Sequence, residues 1–287
     1  MKYIVDKAEK LSKSIIHSIR GVSFSDTQKY LRLGRVKVDG VRVKKDTLVS
    51  VGSEVEVFVM ELKGPKVDIL YEDEHVLVAS KPNGMEVAKA DKVDDKDITL
   101  EEHLASHGVM VVHRLDRLTE GIVIFAKSQE ARTLLDKSFK ERSCTKVYTA
   151  LVYGKLSKSH DIMTDYLVKD SSASTVKVYD TPKPNAKEIV TEYDVLEEYG
   201  DYTKVKVTLH TGRTHQIRAH MSYIGHPVVN DSKYELKQYS DIPAPSKYRG
   251  YYLTATSFTF GCGGVLSYLD GREFSVTPSW DKGLDKI

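Results

Sequence analysis

The sequence predicts an α+β protein in two parts: a small α+β module at the N-terminus, then a larger domain on a mixed, mostly antiparallel sheet. Three observations carry this. Short β-branched runs recur along the chain without regular alternation with helical segments, which argues against a parallel βαβ array. Helical periodicity is confined to a few stretches. Charge is unevenly placed: residues 25–45 hold Lys29, Arg32, Arg35, Lys37, Arg42, Lys44 and Lys45 against Asp26 and Asp39, a local +5 in a chain of net charge +2. With 287 residues, 40% of them hydrophobic, the chain can build one sizeable core and a smaller one.

In chain order, SDTQKYLRLG predicts a short helix with Ser25 or Asp26 as N-cap and Gly34 as its stop. Val36, Val38, Val41 and Val43 then alternate with basic residues around Asp39-Gly40, the dipeptide of a type I′ hairpin turn. Val55, Val57 and Val59 after Gly52 predict a third strand, and Gly64-Pro65 reads as a linker that separates residues 1–62 from 63–287. Strands follow over 67–71, 76–79, 109–112, 122–126, 147–152, 190–195 and 202–209. Two helical stripes stand among them: Ala131, Leu134, Leu135 and Phe139 after Ser128, and Ile217, Met221 and Ile224 between Thr214 and Gly225. SSAST from Ser171 and IPAPSKYRG from Ile242 read as loops.

Several function classes are excluded. No apolar run approaches the ~20 residues that span a bilayer, and the charged start MKYIVDKAEK is unlike a signal peptide. The expectation is a cytoplasmic protein with no membrane partner, and a monomer. Cys144 and Cys262 lack CxxC spacing and are expected to be free thiols. His210, His215, His220 and His226 are spaced so that they do not share one helical face, so no metal site is expected. No cofactor is expected either, because the chain lacks a dinucleotide fingerprint, a P-loop and an HExxH helix. KLSKS at Lys155 hints at a class I aminoacyl-tRNA synthetase, but the HIGH-like IGHP at Ile224 follows it where it should precede.

The chemistry concentrates in VVHRLDRLTEGIVIFAK, residues 111–127, where a loop between two apolar runs hangs Asp116 between Arg114 and Arg117. Opposite charge nearby holds a carboxylate ionised, whereas burial would protonate it. TGRTHQIRAH from Thr211 opens the second helical stripe, so its basic groups gather where free backbone N–H groups favour an anion, either a phosphate or the Asp116 carboxylate.

HRLDRLTEG resembles the central motif of the RluA-type pseudouridine synthases. Three more stretches match that family in order: YEDEHVLVASKPNG from Tyr71, KVYTALVYG from Lys146, and TGRTHQIRAHMSYIGHPVVND from Thr211 to Asp231. The basic helix, GRVKVDG hairpin and VGSEVEV strand resemble the S-four-type RNA-binding module. The resemblance implies a pseudouridine synthase fold with a central catalytic cleft and a reaction without cofactor or metal: cleavage of a uridine N-glycosidic bond, rotation of the base, and rejoining through carbon 5. It makes Asp116 catalytic, pairs Arg218 with it, and casts Tyr148 as the residue that stacks on the base and assists proton removal. Arg114 would fill the space of a flipped nucleotide, since a stacked base is out of reach. Arg213 would support the loop or a phosphate, and His113, His215, Gln216 and Leu253 complete the substrate-binding set. Lys29, Arg32, Arg35, Lys37 and Arg42 would grip phosphates. Large-subunit ribosomal RNA is the expected partner, transfer RNA the second; the alternative is a non-catalytic RNA-binding or ribosome-assembly protein of the same fold. Two residues depart from the family pattern: Glu120, where Ser is usual, and Thr254, where His is usual. A carboxylate at 120 that faced the cleft would raise the Asp116 pKa.

Overall fold

The computed structural model of the protein describes residues 1–19, 22, 24–58, 66–89, 98–170 and 175–286. The chain divides into two compact units, one of Met1–Pro65 with Lys92–Val109 and one of Lys66–Asp91 with Met110–Ile287. The expected cut after residue 62, the Gly64-Pro65 linker, Val59 and most of SSAST lie outside the described residues. A single cut also does not describe the division, because the segment 92–109 groups with the N-terminal unit.

The first unit runs β1 (Lys2–Ile4), β2 (Glu9–Lys10), α1 (Leu11–Ser18), α2 (Phe24–Arg32), β3 (Val36–Val38), β4 (Val41–Val43), β5 (Leu48–Val49) and β6 (Glu54–Val57), with the short α3 (Leu100–His103) from its second segment. Strands β1, β6, β3 and β4 form an antiparallel sheet in that order. Period-two alternation sends Val36, Val55 and Val57 into a core with Leu11, Ile15, Tyr30 and Leu31. Asp39 and Gly40 take φ of 49° and 80°, the left-handed pair that a type I′ turn requires. Lys37 lies directly across from Arg42 on one side and Glu56 on the other. The helix expected to begin at Ser25 or Asp26 starts at Phe24, so those residues fall in its first turn; Thr27 Oγ1 donates to Phe24 O at 2.7 Å.

The second unit is built on one sheet of eleven strands among the described residues. They are β7 (Asp68–Glu72), β8 (Val76–Lys81), β9 (Met110–Val111), β10 (Glu120–Ala126), β11 (Thr145–Tyr153), β12 (His160–Asp170), β13 (Thr175–Tyr179), β14 (Lys187–Tyr199), β15 (Tyr202–Leu209), β16 (Leu253–Thr259) and β17 (Glu273–Ser275). The order is β13-β12-β14-β15-β11-β16-β10-β8-β7, with β9 beside β10 and β17 beside β16. Among the described residues only the β10–β16 contact, Glu120↔Thr254 and Gly121↔Ala255, is parallel. Helix α4 (Gln129–Glu141) is capped by Ser128, whose Oγ accepts from Ala131 N–H, and it buries Ala131 and Leu135 against Ile122, Ile124 and Phe258. Helix α5 (Gln216–Tyr223) places Ile217 and Met221 in a second cluster with Val205, Val207 and Leu253. Burying such side chains stabilises by about 1.5–3 kcal/mol each, which holds α5 against the sheet.

Candidate active site

The loop between β9 and β10 carries Asp116 and is tied down on several sides. His113 Nε2 accepts the Ile124 N–H at 2.9 Å, and the ring packs between Phe139 and Phe258. Burial, and then the charge of Lys146, push the His113 pKa down to about 3, so the ring is neutral and its Nε2 serves the fold. At the other end the Arg117 carbonyl accepts from Gly84 N–H at 2.9 Å and from Lys81 Nζ at 3.0 Å. Lys81 is fully buried and also donates to Pro82 O and Met85 O, so its three donors meet three carbonyls. Burial pushes its pKa down to about 7, against the charges of Asp116 and Glu120. The Lys-Pro-x-Gly stretch therefore clamps the Asp116 loop. Sequence reasoning gave it no such role, although Lys81 at the end of an apolar strand was the visible signal.

The partner of Asp116 is Arg218, not a flanking arginine. Arg218 Nη1 donates to Asp116 Oδ2 at 2.7 Å, while Arg117 Nε turns to Gly84 O and the Arg114 side chain is exposed. Arg218 is itself held by a residue the sequence did not nominate. Its Nε and Nη2 donate to Asp231 Oδ2 and Oδ1 at 2.6 and 2.7 Å, a bidentate fork, and both side chains are almost completely buried. The Tyr251 ring packs against the guanidinium, 3.9 Å from ring centroid to Cζ. Burial alone would lower the Arg218 pKa, but the bonds and charge of Asp231, and then of Asp116, raise it. One permanently charged guanidinium thus stands between a sealed carboxylate and a partly exposed one, since Asp116 keeps 25% of its side-chain surface.

That exposed edge faces a cavity of about 860 Å³. His113, Arg114, Asp116, Tyr148, Arg213, His215, Gln216, Arg218 and Leu253 all line it. His215 Nε2 is 3.9 Å from Asp116 Oδ1, its Nδ1 hydrogen-bonds the Tyr234 hydroxyl, and burial lowers its pKa against the pull of Asp116. Gln216 requires a correction. It is 2% exposed, its Oε1 accepts from Thr211 Oγ1 and Arg213 N–H, and its Nε2 donates to Val190 O and Thr191 Oγ1. With its amide used by the protein, it braces the loop and has nothing left for RNA. His113 Nε2 is committed in the same way. Tyr148 is half-buried, and burial, then the Asp116 charge, push its phenol pKa up.

Glu120 does not add charge to the cleft. Its carboxylate accepts from Thr254 Oγ1 at 3.0 Å and from Ser279 N and Oγ at 2.7 Å each, while Trp280 Nε1 donates to Thr254 Oγ1. The two departures from the family pattern are thus one hydrogen-bonded pair across the parallel β10–β16 contact.

The sequence profile of the RNA pseudouridylate synthase family matches residues 75–223, a stretch that contains Asp116, Tyr148 and Arg218. The chain belongs to that family. This pseudouridine synthase is an isomerase acting on RNA. It is 33% identical over 262 residues to an uncharacterized RNA pseudouridine synthase, YlyB, of Bacillus subtilis, covering 85% of each chain. It is 30% identical over 270 residues to ribosomal large subunit pseudouridine synthase C of Vibrio vulnificus, covering 88% of this chain and 84% of that one. Among solved structures, human RNA pseudouridylate synthase domain containing 1 superposes with a TM-score of 0.59 at 27% identity, over 79% of this chain and 97% of that one. The synthase has no helix, among its described residues, long and apolar enough to cross a membrane.

Proposed function

We propose that this synthase isomerises specific uridines of large-subunit ribosomal RNA, as a cytoplasmic monomer, with Asp116 as its catalytic carboxylate. The observation that carries the reading is the chain Asp231–Arg218–Asp116 ending at the mouth of a cationic cavity. Arg114, Arg117, Lys140, Arg142, Lys146 and Arg213 line that cavity together with Arg218, against the carboxylates of Glu86 and Asp116. A polyanion is drawn in by the surplus of positive charge. Inside, a carboxylate held at a fixed angle by a guanidinium can act on the ribose or the base while the bond from ribose carbon 1′ to uracil N1 breaks. The uracil then turns, carbon 5 bonds to carbon 1′, the carbon 5 proton passes to the Asp116 carboxylate or to water, and N1 takes up a proton in place of its lost bond. Nothing is oxidised or reduced, so the atoms balance without a co-reactant. Tyr148 is assigned to contact with the uracil ring: the upward direction of its pKa keeps the phenol neutral, opposite to what a general base needs. Arg114, exposed at the rim, suits the space left by the extruded nucleotide. The first unit, read as an S-four-type module, supplies a second grip through Arg32, Arg35 and Arg42, all exposed, and through Lys29 and Lys37.

The test is tritium release from large-subunit RNA labelled at uridine carbon 5. Asp116→Asn should release none while still binding the RNA, and retained turnover would refute the assignment. Comparing pseudouridine maps of large-subunit RNA from cells with and without the protein identifies the target; unchanged maps would remove ribosomal RNA as the substrate.

A further inference from the structure

Half-buried lysines in the second unit come with acids, and Lys146 does not. Lys127, with 19% of its side chain exposed, pairs with Glu72 at 2.5 Å; Lys204, with 16% exposed, pairs with Asp281 at 2.5 Å. Fully buried Lys81 spends its donors on three carbonyls. Lys146, on β11 two residues before Tyr148, is half-buried and lines the cavity, yet among the described residues no carboxylate lies within ion-pair distance. Its Nζ sits 5.5 Å over the Phe139 ring. The charged neighbour is another cation, Arg142, and burial together with that charge lowers the Lys146 pKa while Cys144 opposes them. Lys140 and Arg142 are accounted for by the C-terminal end of α4, where cations are favoured; Lys146 has no such reason. A partly desolvated ammonium without a counter-charge costs stability unless something else supplies the anion.

The room for it is specific. Beside it, a Cβ built on Gly212 would stand 3.1 Å from Lys146 Nζ, so the missing side chain in Thr-Gly-Arg leaves the ammonium room against that backbone. Arg213 follows on the same wall and is exposed.

We infer that Lys146, with Arg142 beside it, is a seat for one backbone phosphate of the RNA strand next to the uridine held at Asp116. The inference rests on the reading of the cavity as an RNA site. A phosphate there completes the ion pair that the fold leaves unmade, and it fixes the strand relative to Tyr148 on the same β-strand. Lys146 is in this sense a positioning residue: it touches the substrate away from the bonds that change.

The experiment measures binding of an unmodified large-subunit ribosomal RNA transcript at a series of KCl concentrations. The proteins are the full-length wild type, Lys146→Met, Lys146→Arg and, as a control on the exposed face of α4 outside the cavity, Lys137→Met. Methionine keeps the apolar stem over Phe139 and removes only the charge. Each phosphate neutralised by a protein cation contributes about 0.7–0.9 to the slope of log K against log salt. Lys146→Met should therefore lose about 0.7–0.9 of slope, with Lys146→Arg and Lys137→Met matching the wild type. A slope unchanged in Lys146→Met overturns the proposal even if its turnover falls, because a packing role moves turnover but not slope. An equal loss in Lys137→Met overturns it too, by showing a diffuse field. Tritium release is scored separately on the same RNA, so failure of the isomerase assignment and failure of the phosphate seat are different results.

Discussion

Asp116 is positioned by a guanidinium that is positioned in turn by Asp231, and the two carboxylates differ in burial, not in kind. Asp231 has no side-chain exposure and accepts two N–H bonds from Arg218 and one from Lys233 N. Asp116 retains an open edge. Replacing Asp231 by Asn keeps the shape but turns an NH₂ toward an Arg218 N–H and removes the charge. Breaking one partner of a buried pair costs about 3–5 kcal/mol. Asp231→Asn should thus lower unfolding stability by that order in denaturant titration and reduce tritium release together, whereas Asp116→Asn abolishes release with a smaller loss of stability. Full turnover and an unshifted midpoint in Asp231→Asn would show that Arg218 needs no anchor. The sequence marked Asp116 by its place in a loop between two arginines, and the resemblance alone paired it with Arg218. Asp231, Tyr251 and Lys81 stayed hidden because their roles depend on pairings across 13 residues or more, which no local pattern reports.

At the scale of elements, the β10–β16 contact decides whether the catalytic loop has a fixed end. Gly121 has φ of +115°, and a Cβ on it would lie 2.2 Å from Ala255 O and 2.7 Å from Ala255 N. That backbone conformation costs a side chain about 1–3 kcal/mol, and overpacking adds about 1–3 kcal/mol. Gly121→Ala should therefore lose about twice the stability of Gly84→Ala, where φ is +83° but nothing lies within 4 Å of the added atom. Denaturant midpoints of the two variants make the comparison, and equal losses would mean that conformation alone matters at residue 121. The strands of this sheet were legible to different degrees. The all-buried β10 and the evenly alternating β15 announced themselves through apolar runs and period two. Strand β16 did not, because Leu-Thr-Ala-Thr-Ser buries its threonine by hydrogen bonds to Glu120 and from Trp280 instead of by apolarity. Strand β12 was missed for a different reason: Met163 and Leu167 are its buried residues in a span of 11, too sparse a signal.

For the molecule as a whole, positive charge gathers in two places. The sequence showed the first directly, as the basic surplus over residues 25–45; the second, around the cavity, comes from residues spread between Arg114 and Arg218 and is assembled only by folding. Lys37 is already balanced by Glu56 at 3.8 Å, so Arg32, Arg35 and Arg42 are the better candidates for the outer grip. Removing all three as Arg→Gln leaves the Asp231–Arg218–Asp116 chain intact. Affinity for the ribosomal transcript should fall and the salt slope should shrink by about 2–3, one share of about 0.7–0.9 per phosphate contact. Once RNA is saturating, kcat from tritium release should match the wild type, with the whole loss in KM. A fall in kcat at unchanged KM would mean that these arginines act on the chemical step, and the division of labour between the two basic surfaces would be wrong.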